Sequence, residues 1–413
     1  MKKYLMHIMF ILAAISAVAF SGCGKKEVAV SAIPQTVEEA VVQEKEEELP
    51  PVKEDVIKTA KLTVTGDIMV HSWQYNEAYD PETGAYDFSH NFSEIKKFFT
   101  ESDLVIGNLE TVFAGEDRDI SDYPNFNTPD SFGDALKEAG FNLLTTANNH
   151  CMDKGTDGLN RTIEVLDGLG IDHFGTYLSE EQRDTILVKD VNGIKIAFLS
   201  YTYGTNGIPV SSNYSVNLID GGKMEADISR ARDMADLVVV MPHMGNEYEE
   251  TVNDKFKALA DKMFTAGADI ILASHPHVLQ PMEYQTITDA DGTKREGFVI
   301  YSLGNCISSQ TTPPRNAGVI LNLEIQQLND EQPEIEQVSV IPIWTQFRNV
   351  NEENHFIVRS VYDMLSLSDE ELRATVRAKD ITRLKEIQVQ STKALLGYEV
   401  PIENMESEYI FKR

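Results

Sequence analysis

The residues with the most chemistry to offer fall in short clusters: Gly66-Asp67, Asn108 with Glu110, Asn148-Asn149-His150, His243, His275 with His277, and Gly304-Asn305. Imidazoles, carboxylates and Asn amide oxygens together suit borderline divalent ions such as Mn, Fe or Zn. Thiolate ligands are nearly absent, which argues against a structural zinc site built from Cys. Two such ions sharing one carboxylate would clamp a phosphoryl or acyl oxygen and lower the pKa of a bridging water. A His outside the ligand set would then protonate the leaving group. Taken singly, each cluster also has an ordinary role: Asp67 can cap a turn, and Asn148 with Asn149 can supply left-handed backbone.

The positions of these clusters carry more weight than their types, because each directly follows a run that reads as a buried strand. Those runs are Lys61–Thr65, Leu104–Gly107, Phe141–Thr146, Leu237–Met241, Ile270–Ala273 and Phe298–Tyr301, with Ile194–Ser200 a further one. Amphipathic helical stretches lie between many of them, at Asp130–Ala139, Thr156–Leu169, Met224–Ala235 and Asp254–Ala266, with Gly140 and Gly267 placed to stop two of the helices. This alternation predicts α/β architecture. Loops at the carboxyl ends of strands converge in such sheets, so residues far apart in sequence meet there on rigid supports. Val319–Ile325 and Ile335–Ile343 have no helix between them and are expected to pair antiparallel, while Ser368–Leu396 is expected to be a peripheral helical region. Tyr201–Asn206 suits a loop lining the cleft, although Gly204 and Gly207 also suit a plain turn.

The ends and the composition bound the setting. Lys2 and Lys3, the apolar run Tyr4–Phe20, and Ser21-Gly22 before Cys23 have the order of a secretion signal. A small pair before Cys resembles the lipobox of bacterial lipoproteins, with Phe20 in place of the usual Leu. The resemblance implies that residues 1–23 are a lipoprotein signal segment cleaved before Cys23, which is acylated and becomes the new N-terminus, and that the protein is extracytoplasmic and anchored to the membrane by lipid. Residues 24–58 are acidic and Pro-containing without aromatics, so a solvated tether is expected there. With 36 basic and 66 acidic residues the formal net charge is −30, which repels nucleic acid and excludes it as a partner. Cys151 and Cys306 are too few for a disulfide framework and are expected either to pair or to stay buried. No internal repeat is present.

The ordered set Gly66-Asp67, Asn108-Leu-Glu110, Asn148-Asn-His150, His243 and His275-Pro-His277 resembles the calcineurin-like metallophosphoesterase superfamily. With Thr65–Met69, Thr145–Asp153, Tyr201–Asn206 and Ser302–Asn305 it looks more closely like the CapA type, the poly-γ-glutamate capsule synthesis proteins. The likeness spans about Lys61 to Ile343. It implies a two-sheet β-sandwich flanked by helices in four αββα layers, over residues 59–345, with a helical extension at 346–413. It also implies roles: Asp67 and His277 on a first ion, Asn149, His243 and His275 on a second, Glu110 bridging, and His150 as proton donor. Asn108, Asn148 and Asn305 would face the substrate.

Three positions depart from the superfamily pattern. Met69 stands where a His ligand is usual, leaving the first site one ligand short unless the strand runs on and His71 replaces it. Glu110 stands for a bridging Asp. Cys151 stands where a carboxylate follows the catalytic His, so Asp153 is the candidate to orient His150. One or two divalent ions are thus expected, with three readings of their use: synthesis, export or anchoring of a capsule polymer alongside its machinery; hydrolysis of a phosphoester or, secondarily, an amide; or recognition of a cell-wall ligand without catalysis. His71, His90, His173 and His355 are each expected to be ordinary satisfied histidines, and Arg315 a solvated cation.

Overall fold

The strand-like runs pair into two mixed sheets that face one another. The computed structural model describes residues 55–289 and 291–413. The predicted signal segment, Cys23 and the tether up to residue 54 lie outside the described residues. The strands are, in chain order, β1 (Ile57–Ile68), β2 (Leu104–Leu109), β3 (Leu143–Thr145), β4 (Asp172–Phe174), β5 (Leu187–Val191), β6 (Ile194–Thr202), β7 (Leu237–His243), β8 (Ile270–Leu272), β9 (Met282–Thr288), β10 (Lys294–Ile300), β11 (Asn305–Ile307), β12 (Ala317–Leu328), β13 (Glu334–Arg348), β14 (Asn354–Ser360) and β15 (Tyr409–Phe411). The first sheet has the order β14-β13-β12-β1-β2-β3-β4, with β11 on β1 and β15 on β13; the second has the order β5-β6-β7-β8-β10-β9. Strands β1 to β4 run parallel, as do β6, β7, β8 and β10, so the carboxyl ends of each set open toward one edge.

Side-chain alternation assigns the layers. Leu104 and Ile106 of β2, Ile196 and Phe198 of β6, Val239 and Met241 of β7, and Leu321 and Leu323 of β12 share one core between the sheets. The residues between them face outward. Val105 and Leu109 pack with Phe132 and Leu136 of the helix Ser131–Ala139 on one side, and Val238 and Val240 pack with Ile228 and Phe264 of the helices Met224–Arg232 and Asp254–Ala266 on the other. The predicted αββα order is therefore observed. Gly140 and Gly267 end their helices at φ of 113° and 123°, a region where an L side chain is strained.

The two ends depart from expectation. Strand β1 begins at Ile57, two residues inside the predicted tether, because it pairs antiparallel along β12 as far as Leu328. The segment 346–413, expected to be a helical extension, also supplies β14 and β15 to the first sheet, and β13 itself runs through the predicted boundary to Arg348. Leu395 of the helix Ala378–Leu396 and Tyr409 of β15 belong to the core between the sheets, so this segment is integral to the domain. Among the described residues no helix is long and apolar enough to cross a membrane.

Candidate metal centre

Strand parity brings most of the predicted residues to the inter-sheet side. On β2 the inward positions Leu104 and Ile106 continue to Asn108 and Glu110, and on β7 the inward positions Leu237, Val239 and Met241 continue to His243. Strand β1 needs a correction to do the same. Leu62 and Val64 point into the inter-sheet core but Ile68 and Val70 pack on the helix side, and the pairing with β2 shifts register between Val64 and Asp67. That bulge inverts the alternation and turns Asp67 inward. Gly66 makes it possible: a Cβ there would overlap the Gly304 carbonyl, which accepts from Asp67 N–H at 3.0 Å.

The loop after β8 delivers two imidazoles by a strained path. His275 and His277 have φ of 105° and 58°, positive values that L residues seldom hold. Pro276 lies between them against Gly245, where an added Cβ would come 2.6 Å from the proline ring. The strain is concentrated where both rings enter the cleft.

The result is a pair of ligand groups joined at one carboxylate. Asp67, Glu110 and His277 offer atoms within 4.8 Å of one another, and so do Glu110, His243 and His275. Asp67 and Glu110 come from the first sheet, the histidines from the second. Asp67 Oδ2 lies 3.0 Å from His277 Nδ1 and accepts from His275 N–H at 3.3 Å. Glu110 Oε1 lies 3.4 Å from His243 Nε2 and 3.8 Å from His277 Nε2. Asn149 Oδ1 is 2.8 Å from the same His243 Nε2, while Ser274 Oγ, 3.0 Å from Nδ1, fixes the ring from behind. A third group, Glu247 with His275 and His277, sits at the mouth with Glu247 exposed.

The electrostatics show what this donor set lacks. Burial alone would raise the Asp67 carboxyl, but the hydrogen bond and charge of His277 hold it below the usual carboxylate range. Burial lowers His277, yet Glu110 and Asp67 together push it up to about 9. Burial and the Asp67 charge raise Glu110 well above its ordinary value. Burial pushes His243 down to about 3, and burial with the neighbouring imidazoles pushes His275 well below its ordinary value. Glu110 Oε1 and His275 Nδ1 are buried without any hydrogen-bond partner. Buried polar atoms without partners are costly unless something meets them. A divalent cation fits both, so the residues present suit the metal their types suggest.

Beside the ligand groups stands a dyad. His150 Nδ1 lies 2.7 Å from Asp153 Oδ2, which also accepts from Phe126 N–H at 2.7 Å. His150 Nε2 is left near the Asn206 amide at 3.5 Å, and Asn206 Oδ1 in turn accepts from Asn149 at 3.3 Å.

Other expectations change. Asn108, Asn148 and Asn305, read as facing the substrate, have amides engaged by the protein. Asn108 donates to Asp67 at 2.8 Å and accepts from Asn148 at 3.2 Å, and Asn148 Oδ1 accepts from His150 N–H at 3.1 Å. Asn305 Oδ1 faces His277 Nδ1 at 3.0 Å and its amide donates to the Arg315 carbonyl at 2.8 Å. Asn108 and Asn305 thus touch Asp67 and His277, and Asn148 holds Asn108 and the His150 backbone. His71 does not complete the first group, because the chain turns after β1 and its Nδ1 accepts from Ser309 N–H at 3.2 Å. Cys151 and Cys306 are free and buried. Arg315 is not simply solvated: its guanidinium lies 3.2 Å from the Tyr248 ring centroid, and Tyr248 flanks His277. Sequence reasoning missed Ser274, Glu247 and this Tyr248–Arg315 pair. Adjacency to His275 and His243 was the only signal for the first two.

The family model described as bacterial capsule synthesis protein PGA_cap matches residues 61–310, the span that carries every residue of both ligand groups. The chain belongs to this family. The capsule biosynthesis protein CapA of Bacillus anthracis is 31% identical over 274 residues, covering 64% of this chain and 63% of that protein. The PGA biosynthesis protein CapA of Bacillus subtilis is 32% identical over 278 residues, covering 64% and 67%. The chain thus matches less than two thirds of the length of the first of these. A calcineurin-like phosphoesterase from Bacillus subtilis superposes with a TM-score of 0.40 at 14% identity, over 80% of this chain and 99% of that one.

Proposed function

We propose that this chain is a lipid-anchored protein of the outer cell surface that serves the synthesis, export or attachment of poly-γ-glutamate or a similar anionic capsule polymer, through a cleft holding one or two divalent ions. The observation that carries the metal is the shared Glu110: two ligand groups meet at one buried carboxylate whose Oε1 has no donor. Family membership supports the polymer, and the charge of the chain supports the coupling of the two. A protein of net charge −30 repels a polycarboxylate unless cations stand between them. Asp67, Glu110 and His277 would hold one ion, and Glu110, His243, His275 and Asn149 the other, with Mn, Fe or Zn as candidates. Deleting the gene in a strain that makes such a polymer, then weighing surface polymer, tests this; an unchanged yield sinks it.

A second reading is favoured by the His150–Asp153 dyad, which binding alone does not require. Bound divalent ions supply Lewis-acid polarisation of an acyl or phosphoryl oxygen and a more acidic water. Asp153 fixes the His150 ring by accepting at Nδ1, leaving Nε2 on the cleft side to pass a proton to a departing oxygen or nitrogen. Purified protein with Mn is then expected to hydrolyse a generic phosphoester or a γ-linked amide. His150→Ala is expected to lower that turnover by about 10²–10⁴-fold with metal content unchanged. Inactivity across Mn, Fe and Zn would leave the polymer reading without a hydrolytic step.

A further inference from the structure

Away from the cleft, Glu77 of the helix Ser72–Ala78, His90 of the following turn and His355 of β14 converge, each half-buried and each offering an atom within 4.8 Å of the other two. His90 Nε2 lies 3.0 Å from Glu77 Oε1 and 3.1 Å from Oε2, and His355 Nδ1 lies 3.7 Å from the same Oε1. The two imidazoles are nearly parallel, 9° apart with centroids 5.2 Å from each other.

Without an ion, either ring can donate an N–H to the Glu77 carboxylate. Two neutral imidazoles and one carboxylate instead present three lone pairs to a common point, the donor set that borderline ions such as Zn²⁺ accept. Ligands on a tetrahedral zinc stand about 3.3 Å apart, from bonds of about 2.0–2.1 Å. The ring nitrogens lie 3.0 and 3.7 Å from Glu77 Oε1, and the three candidate ligand atoms lie within 4.8 Å of one another, near that spacing. Asn91, fully buried, holds its Nδ2 3.2 Å from His90 Nε2 and helps to fix that ring.

The junction is also stiff before any ion arrives. Asn91 Nδ2 donates to the Phe356 carbonyl at 2.5 Å and Val358 N–H donates to the Asn91 carbonyl at 2.8 Å, stitching the turn to β14. Preorganised ligands lower the ordering cost of binding.

We infer that Glu77, His90 and His355 form a second metal site, separate from the cleft and selective for a zinc-like divalent ion, which ties the edge strand β14 to the segment Ser72–Asn91. The site is independent of the cleft and of the function proposed for it. To test it, the full chain is stripped with chelator, reloaded with zinc and desalted, and its metal content is compared with that of the His90→Gln/His355→Gln double variant. One zinc fewer per chain in the double variant is expected, whatever the cleft retains. The same comparison in a Glu110→Gln background is expected to show the same loss of one zinc. Equal zinc in parent and double variant, in either background, overturns the inference. Should the double variant fail to fold by circular dichroism, Glu77→Gln is read in the same way, with equal zinc again overturning it.

Discussion

The two ligand groups that meet at Glu110 are built from similar residues but are in opposite electrostatic states. In the group of Asp67, Glu110 and His277, an ion pair already exists, with Asp67 held ionised and His277 held protonated by it. In the group of Glu110, His243 and His275, burial holds the imidazoles neutral, and two buried polar atoms, Glu110 Oε1 and His275 Nδ1, have no hydrogen-bond partner. A cation entering the first must displace the proton on His277; a cation entering the second meets imidazoles that carry no charge. The first group therefore exchanges one positive charge for another, and the second does not.

The widest test of this contrast is Glu110→Gln. It removes the carboxylate that both groups share, so metal content by elemental analysis is expected to fall to none in the cleft and the stabilisation conferred by added Mn to vanish. An ion retained there would show the groups to be independent. Next comes the asymmetry between partners. Asp67→Asn strands a buried His277 and is expected to destabilise the metal-free protein by on the order of 3–5 kcal/mol in denaturant titration. His243→Gln removes a neutral ring and is expected to cost clearly less while lowering metal content equally.

A pH series sharpens the contrast further. The His277 pKa is raised from 6.5 to about 9 in the folded state. A raised folded pKa gives stability that is fully present below pH 6.5 and is lost as pH rises through about 9. For the metal-free chain that loss is on the order of 3 kcal/mol at most, given about 1.4 kcal/mol per unit. It is expected to disappear in His277→Gln. Binding of metal to the first group is accordingly expected to release a proton near neutral pH, measurable by titration in buffers of different ionisation enthalpy. Smallest is Tyr203→Ala: Tyr203 covers His275 at 4.6 Å without bonding it, so metal affinity is expected to fall by less than about tenfold.

Much of this was legible in the sequence, for identifiable reasons. Strand runs and helix stops follow from burial and from Gly140 and Gly267, and the inward direction of Glu110 and His243 follows from counting twos along β2 and β7. The direction of Asp67 does not. Plain alternation from Leu62 and Val64 puts it on the helix side, and only the register shift with the close approach of Gly304 turns it. The hydrogen bonds of the asparagines within the protein were not legible, because an amide looks the same in sequence whether it meets a substrate or a neighbour. Strand β15 was hidden because it is three residues long and follows a long helix, and β14, seven residues long, was taken into the helical tail that follows it. His90 and His355 were set aside individually as ordinary histidines; their meeting at Glu77 is a property of tertiary structure alone.

Each cleft group draws its carboxylates from one sheet and its imidazoles from the other, so the ions proposed there would clasp two β layers as well as serve any chemistry. Chelation would then unfasten the sandwich along one rim. The loops around Tyr203 and Tyr248 would become the first places a protease could enter.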